Sequence, residues 1–332
     1  MPAKGKNKSP AKLRDEAAAA AAKQAGAAPV NFASWETKVS RLRGRNHSDL
    51  IRGWLAHIPT INSPGGPPRE AITAISAIDA ALVRVPPTGE LYESLGGDRS
   101  SVLHEALYLA HKAIHVQISC ANAIRNGLHT WAVVDAYQAS LFALGSVMAF
   151  LGLTVQRHEN DFIVIDVWPD AGDVQKISKK IRGENDFYHF LRFRTLDHFH
   201  KWAMLKRLLR TMESESRLVV LLRDALAERD DKEFARHRNV VHYQSAGWIA
   251  GDLICPSEDG PIKRARSAQD LFDGIYAGTP SGTVYLMCVL IELCCEFAVG
   301  LQSSQVVSEE IVLLDRRIAS RSMLTEFDWA KI

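Results

Sequence analysis

Two long apolar segments constrain this chain of 332 residues more than any other feature. They run from Trp131 to Val155 and from Thr283 to Leu301, and each carries polar side chains, among them Asp135 in the first. Glu292 and Glu296 lie four residues apart in the second, so a helix would present both carboxylates on one face. Because charge is costly inside a bilayer, we predict that both segments are buried core helices, and we expect no membrane partner.

A second helical pattern precedes the first apolar segment. It begins at Ser100 or Ser101, either of which suits an N-cap, and continues through Asn126. Gly127 lies where a C-terminal cap is expected, and the next helix is predicted from Thr130 to Leu151. The very short connection predicts an antiparallel helical hairpin.

The periodicity changes after this helical hairpin. Residues 155–170 are rich in β-branched side chains around a polar turn, which predicts a small β-hairpin insertion. Helical patterns then resume. They cover 174–181, 186–212, 215–228, 232–245 and 283–301. The predicted fold class is therefore mainly α: a helical bundle with a small β-hairpin insertion and an N-terminal helical subdomain.

Composition divides the chain into four parts. Residues 1–28 contain alanine and lysine but no aromatic residue, which predicts a flexible basic tail. Residues 29–97 carry helical patterns broken by proline and glycine, and are predicted to form a small N-terminal subdomain. The helical bundle is assigned to 98–305, and 306–332 form a C-terminal segment.

Charge, cysteines and absent motifs narrow the class of protein. The net charge of +2 indicates no partner, so any basic surface must be local. A polar, basic N-terminus predicts no secretion signal, and five cysteines without a C-x-x-C pair predict a reducing, cytoplasmic compartment. The sequence has no phosphate-binding loop, no dinucleotide fingerprint, no H-E-x-x-H and no G-x-S-x-G, so we predict neither a cofactor nor a metal.

The stretch FARHRNVVHY, Phe234–Tyr243, concentrates side chains that suit phosphate chemistry. On a helix Arg238 and His242 share a face, and Asn239 lies beside His242. Arg236 can join them only from the preceding loop or the first turn. Because histidine exchanges protons near neutral pH and a guanidinium binds phosphate oxygens, the stretch predicts a catalytic or ligand-binding cluster. The alternative is a solvated helix start with a structural histidine–asparagine hydrogen bond.

This cluster resembles the signature of the HEPN superfamily, an arginine followed after four to six residues by a histidine. Five residues separate Arg236 from His242, and three separate Arg238 from it, so either arginine stays a candidate. Tyr243 directly follows the histidine, as in several members of the family. The order of helical hairpin, motif helix and final apolar helix extends the resemblance over residues 100–303.

The resemblance implies a metal-independent endoribonuclease. His242 would act as acid or base, Arg236 or Arg238 would stabilise the phosphate, and Asn239 and Tyr243 would support them. It further implies RNA as substrate, a homodimer whose two motifs face one cleft, a regulatory protein partner, and a bacterial toxin or anti-phage defence system. Two alternatives are a non-catalytic HEPN-like module that binds a nucleotide or protein through dimerisation, and an unrelated structural helical protein.

A basic stripe is the second candidate feature. Its predicted nucleic-acid-binding residues are Lys179, Lys180, Arg182, Arg192, Arg194, Lys206 and Arg207. Placed on helices, they could follow a phosphate backbone or form an ordinary solvated face. Two metal alternatives also stay open: His198 with His200, and Asp161, Asp166 and Asp170 around the β-hairpin.

Overall fold

The computed structural model describes residues 35–57, 81–86, 89–94, 99–169, 187–233 and 262–301. Within these ranges the protein is mainly helical with one small antiparallel sheet. The helices are α1 (Trp35–Val39), α2 (His47–His57), α3 (Ser100–Arg125), α4 (His129–Phe150), α5 (His198–Thr211), α6 (Arg217–Ala227), α7 (Ala268–Ala277) and α8 (Pro280–Gly300). The strands are β1 (Glu90–Ser94), β2 (Leu153–His158), β3 (Asp161–Asp166) and β4 (Phe187–Phe193).

Helices α3 and α4 form the helical hairpin that the sequence predicts, and they pack along each other. Gly127 in their connection has a φ of 72°, a conformation that glycine adopts without a steric penalty. Its N–H donates to the carbonyl of Ile124 at 3.0 Å. Small residues let the two backbones approach: Ser146 Oγ on α4 donates to the carbonyl of Ala106 on α3 at 2.7 Å.

The last apolar helix, α8, packs along α4 and completes the core. Its N-cap is Thr279, whose Oγ1 accepts the N–H of Gly282 at 2.9 Å. Phe297 stacks on Phe150 of α4 with 5.5 Å between ring centroids. Helices α4 and α8 are long and apolar enough to cross a membrane, but 67% and 78% of their most apolar windows are buried inside the fold. Such burial fits core helices of a soluble protein.

The predicted β-hairpin is present, but it is half of a four-stranded sheet. Strands β2 and β3 pair antiparallel around a turn in which Glu159 has a φ of 53°. Strand β4 pairs with β3, and β1 pairs with β4, so the strand order is β1-β4-β3-β2. Strand β1 is not among the elements that the sequence predicts.

The predicted helix over 186–212 is wrong before His198. Residues Phe187–Phe193 form β4, and α5 begins only at His198, after an extended Asp197. All residues of β4 except Arg192 are buried, so the strand shows no alternation of polar and apolar side chains. A continuous apolar run of this kind fits a buried helix and a buried strand equally well. The aromatic content of FYHFLRF is the local signal that favours the strand.

Helices α1 and α2 share the core of the bundle. Trp54 of α2 is 1% exposed, and its Nε1 donates to the carbonyl of Phe150 at 2.8 Å. Between α1 and α2 the chain crosses α5 closely: the N–H of Gly44 donates to Thr211 Oγ1 at 2.5 Å, and a Cβ on Gly44 would overlap the carbonyl of Leu208. The crossing places residues 40–44 beside the basic face of α5.

Candidate functional site

The predicted catalytic cluster lies outside the described residues. This applies to Arg236, Arg238, Asn239, His242 and Tyr243, and also to Lys179, Lys180 and Arg182 of the basic stripe. The described chain reaches Glu233 before the cluster and resumes at Ile262 after it. The structure therefore describes the residues that lead up to the cluster. It also describes the surroundings of the remaining basic-stripe residues, Arg192, Arg194, Lys206 and Arg207.

The turn that precedes the cluster is anchored at both ends. Asp230 Oδ1 accepts the N–H of Lys232 at 3.0 Å, and the Asp230 carbonyl accepts the N–H of Glu233 at 3.0 Å. Arg229 is 8% exposed; its Nη1 donates to the carbonyl of Ile275, and its Nη2 lies 2.8 Å from the Glu233 carboxylate. Because Ile275 belongs to α7, the last residues before the cluster are fixed against that helix.

A pocket of about 470 Å³ opens beside this turn. It lies between the end of α1, helices α5 and α6, and the turn at Asp231. Its lining residues are Val39, Ser40, Ala203, Lys206, Arg207, Arg210, Arg223, Ala227, Glu228 and Asp231. We call it the cationic pocket, because it has four cationic side chains against two carboxylates. This balance favours an anionic ligand.

Backbone carbonyls hold two of these cations in place. Arg207 donates from Nε to the carbonyl of Leu42 at 3.2 Å and from Nη2 to the carbonyl of Ser40 at 2.9 Å. Lys206 Nζ donates to the carbonyl of Arg229 at 2.5 Å and lies 3.0 Å from Asp231 Oδ1. The wall of the pocket is therefore preorganised by contacts from α5 to two separate loops.

The arginines near the pocket repel one another. The pKa of Arg207 lies below its ordinary value, first because its guanidinium is partly desolvated, and then because Arg43 and Arg210 lie near it. An anion that binds between these arginines would reduce the repulsion among them. Arg43 lies in the loop between α1 and α2, and its Nη1 donates to the carbonyl of Leu42 at 3.2 Å.

No protein-family model matches this chain, and no curated protein or solved structure is detectably similar to it. The candidate site is therefore assigned from its own geometry and chemistry. In those terms, the cationic pocket is the feature of the described residues that best suits an anionic ligand.

The predicted basic stripe is divided by the structure. Lys206 and Arg207 line the cationic pocket, as residues of α5. The helical placement of Arg192 and Arg194 is wrong: Arg192 belongs to β4 and Arg194 directly follows it. Arg192 Nε lies 2.8 Å from Asp161 Oδ2, and its Nη1 donates to the carbonyl of Val85 at 2.9 Å. Arg192 is thus part of the framework around the sheet.

Arg223 and Glu228 are pocket residues that the sequence analysis does not single out. Both come from the α6 region, whereas Lys206, Arg207 and Arg210 come from α5. Because the pocket residues lie on two helices, no residue spacing within a single helix predicts that they meet. The only local signal is the charged face of α6, and that face alone cannot show which helix packs beside it.

The two metal alternatives find no support among the described residues. No group of three metal-ligating side chains occurs in this part of the chain. His198 Nδ1 lies 3.0 Å from Tyr137 Oη, whereas His200 Nδ1 accepts the N–H of Asp197 at 2.9 Å, so the two rings serve different partners. Asp161 and Asp166 stand at opposite ends of β3, roughly 17 Å apart by strand rise, so they cannot share an ion. Asp170 lies outside the described residues.

A half-buried carboxylate lies where α3 meets the sheet. Glu105 Oε2 accepts from Thr154 Oγ1 at 2.8 Å and from Gln156 Nε2 at 3.2 Å. Burial raises the pKa of Glu105 and lowers the pKa of Lys201, while the attraction between the two charges opposes both shifts. Hydrogen bonds to β2 explain the placement of Glu105, so we assign this group a structural role.

Proposed function

We propose that this protein is a HEPN-like, metal-independent endoribonuclease that acts in the cytoplasm as a homodimer. The observation that carries the proposal is the position of the cationic pocket. Asp231 lines that pocket, and Arg236 follows five residues later in the chain. Five residues span at most about 18 Å, so an RNA strand bound at the pocket lies within reach of the cluster.

The chemistry divides between a proton-transferring histidine and a charge-stabilising arginine. Neutral His242 takes the proton of a ribose 2′-hydroxyl, whose oxygen attacks the adjacent phosphorus. The P–O5′ bond breaks, and the leaving oxygen takes a proton from the His242 of the second subunit in the dimer cleft. Arg236 or Arg238 stabilises the charge on the phosphate. The products are a 2′,3′-cyclic phosphate and a 5′-hydroxyl.

Asn239 and Tyr243 complete the proposed site. Asn239 orients the imidazole or the substrate, and Tyr243 packs or hydrogen-bonds beside it. An unrestrained ribonuclease would harm its own cell, so we place the activity in a bacterial toxin or anti-phage defence system with a regulatory protein partner. The helical hairpin of α3 and α4, with α8 packed against it, fits the arrangement that the resemblance implies.

A non-catalytic HEPN-like module is the second candidate, and the size of the cationic pocket favours it. A volume of about 470 Å³ falls in the range of small-molecule sites. A nucleotide would suit the charge of the lining residues. In that case the protein would act by binding a nucleotide or a partner protein and by dimerising, and RNA would remain intact.

The deciding experiment compares purified wild-type protein with His242→Ala on a mixed RNA pool in EDTA. We expect the wild type to cleave RNA and to leave 2′,3′-cyclic phosphate ends, and we expect the variant to be inactive. A DNA strand, which lacks the 2′-hydroxyl, should resist cleavage by both proteins. His115→Ala is the matched control, because it removes an exposed histidine of α3. Cleavage that survives in His242→Ala would refute the assignment. Intact RNA with a pocket-bound nucleotide would establish the second candidate.

A further inference from the structure

The cationic pocket takes its four cations from α5 and α6. We propose that it binds a phosphate group of single-stranded RNA other than the phosphate that is cleaved. The inference rests on the proposed ribonuclease function for the identity of the ligand. What it adds is a second anchoring point, built by α5, α6 and the end of α1, that fixes the register of the strand.

The side chains around the pocket suit a phosphate group. Lys206 and Arg207 form a fixed wall, because carbonyls of two loops hold them. Arg210 and Arg223 come from different helices and carry guanidinium groups, which bind phosphate oxygens through paired N–H donors. A phosphate also relieves the repulsion among Arg207, Arg43 and Arg210 that their arrangement creates.

Acidic residues cancel only part of this charge, and Asp224, with Oδ1 3.1 Å from Arg223 Nε, adds one carboxylate beside the lining. Lys206 lies 3.0 Å from Asp231 and compensates that carboxylate. Glu228 stands at the C-terminal end of α6, on the same pocket as Arg223. Its carboxylate opposes an anionic ligand and can be removed without changing the shape of the side chain.

The concave shape favours a single strand over a duplex. The four cations come from α5 and α6, and a phosphate that contacts both helices needs a backbone free to bend away from its neighbours. A single strand has this freedom, whereas a duplex holds its phosphates at fixed positions on a convex surface. The lining also includes the apolar residues Val39, Ala203 and Ala227, which suit contact with the attached sugar.

The test measures RNA affinity without cleavage. Fluorescence anisotropy follows a labelled single-stranded 12-nucleotide RNA bound to full-length His242→Ala protein in EDTA, over a series of KCl concentrations. The pocket variant adds Arg210→Ala and Arg223→Ala. The matched control adds Arg52→Ala and Arg125→Ala, which remove the same two charges from exposed arginines outside the pocket. A third protein adds Glu228→Gln, and thermal melts establish that each variant is folded.

We expect the pocket variant to bind RNA roughly tenfold or more weakly. The slope of log K against log salt should also become shallower, by about 0.7 for each phosphate that the protein no longer neutralises. The control should stay within about twofold of the parent, and Glu228→Gln should bind more tightly because it removes a negative charge from the pocket. Inorganic phosphate and a mononucleotide should compete only weakly with the RNA, because each can occupy only one of the two anchoring points on the protein.

Equal RNA affinity in the pocket variant and in the control would overturn the inference, and so would a Glu228→Gln protein with unchanged affinity. Pocket-dependent binding of a mononucleotide without pocket-dependent binding of RNA would assign the site to a small phosphate ligand instead. The two proposals fail separately. Cleavage by the wild type with no pocket effect refutes only the anchoring site, whereas pocket-dependent RNA binding without cleavage refutes only the ribonuclease.

Discussion

The ammonium group of Lys206 lies 3.0 Å from a carboxylate oxygen of Asp231 and donates at 2.5 Å to the carbonyl of Arg229. These two contacts tie α5 to the turn that leads into residues 234–243. The same lysine lines the cationic pocket. One side chain therefore joins the wall of the proposed anchoring site to the approach of the proposed catalytic cluster.

Replacing Lys206 by methionine should reduce both stability and activity. The substitution keeps the aliphatic stem but removes the charge that faces Asp231 and the donor to Arg229. We expect the free energy of unfolding to fall by about 1–2 kcal/mol in urea denaturation. A double-mutant cycle with Asp231→Asn should give a coupling of at least ~0.5 kcal/mol. A coupling of zero would show that the ion pair contributes nothing to the stability of the fold.

The ion pair between strands β1 and β4 should make stability depend on acid pH. Glu90 accepts from His189 Nε2 at 3.1 Å and also contacts Arg41. The hydrogen bond from His189 lowers the pKa of Glu90 from 4.5 to about 2; burial opposes that shift and Arg41 adds to it. Because the folded pKa is depressed, the stabilisation is complete above about pH 4.5 and is lost as the pH falls toward 2.

We therefore expect Glu90→Gln to lower the free energy of unfolding by about 1–2 kcal/mol at pH 6, after allowance for solvent screening. Wild type and variant should converge as the pH falls from 4.5 to about 2. Urea denaturation at several pH values measures both curves. Glu159→Gln, in the exposed turn between β2 and β3, removes a carboxylate outside this pair and is the control. A difference for Glu90→Gln that is the same at pH 2.5 and pH 6 would contradict this account.

Local patterns predict most helices of this fold but miss α7, and they predict only the β2–β3 half of its sheet. The helical hairpin follows from two helical patterns that end at Gly127 and at Gly152, and α8 follows from its own long apolar run. Strand β4 does not follow, because residues 187–193 are buried on both faces and lose the alternation that marks a strand. Strand β1 is an edge strand of five residues whose partner lies about 100 positions later, and no local signal carries that pairing.

The candidate site shows the same division. Lys206 and Arg207 are predictable as basic residues, since they lie in one charged helical segment. Arg223 is not, because its membership of the pocket depends on how α6 packs beside α5. The end of α1 reaches the pocket only because Gly44 lets the chain cross α5 closely. Packing across elements, which the sequence does not encode locally, determines which charges meet.

Trp54 should be essential for the stability of the whole described core. Its indole is buried between α2 and the bundle, and its Nε1 donates to the carbonyl of Phe150 at 2.8 Å. Trp54→Ala should cost about 3–5 kcal/mol of unfolding free energy, and Trp54→Phe less, because it keeps most of the ring volume. Leu55→Ala, at a half-buried neighbour, is the control and should cost less than Trp54→Ala. Calorimetry should show one shifted transition. An early transition that moves alone would mean that α2 unfolds separately from the bundle.

Gly278 should be intolerant of a side chain, and its replacement should disturb the turn before the cluster. It ends α7 with a φ of 64°, and a Cβ there would overlap the guanidinium of Arg229. Because that guanidinium holds the Ile275 carbonyl and Glu233, displacing it loosens the segment that leads to residue 234.

We expect Gly278→Ala to lower the free energy of unfolding by about 1–3 kcal/mol and to reduce RNA cleavage beyond that loss of stability. Gly145→Ala is the matched control. It lies inside helix α4, where the nearest atom to a new Cβ is the flexible end of Leu109, and alanine favours the helix there. The measurements are urea denaturation and cleavage well below the melting temperature. A Gly278→Ala protein as stable as Gly145→Ala would mean that Arg229 can yield without cost, and the anchoring of the turn would then have to come from Asp230 and Lys206.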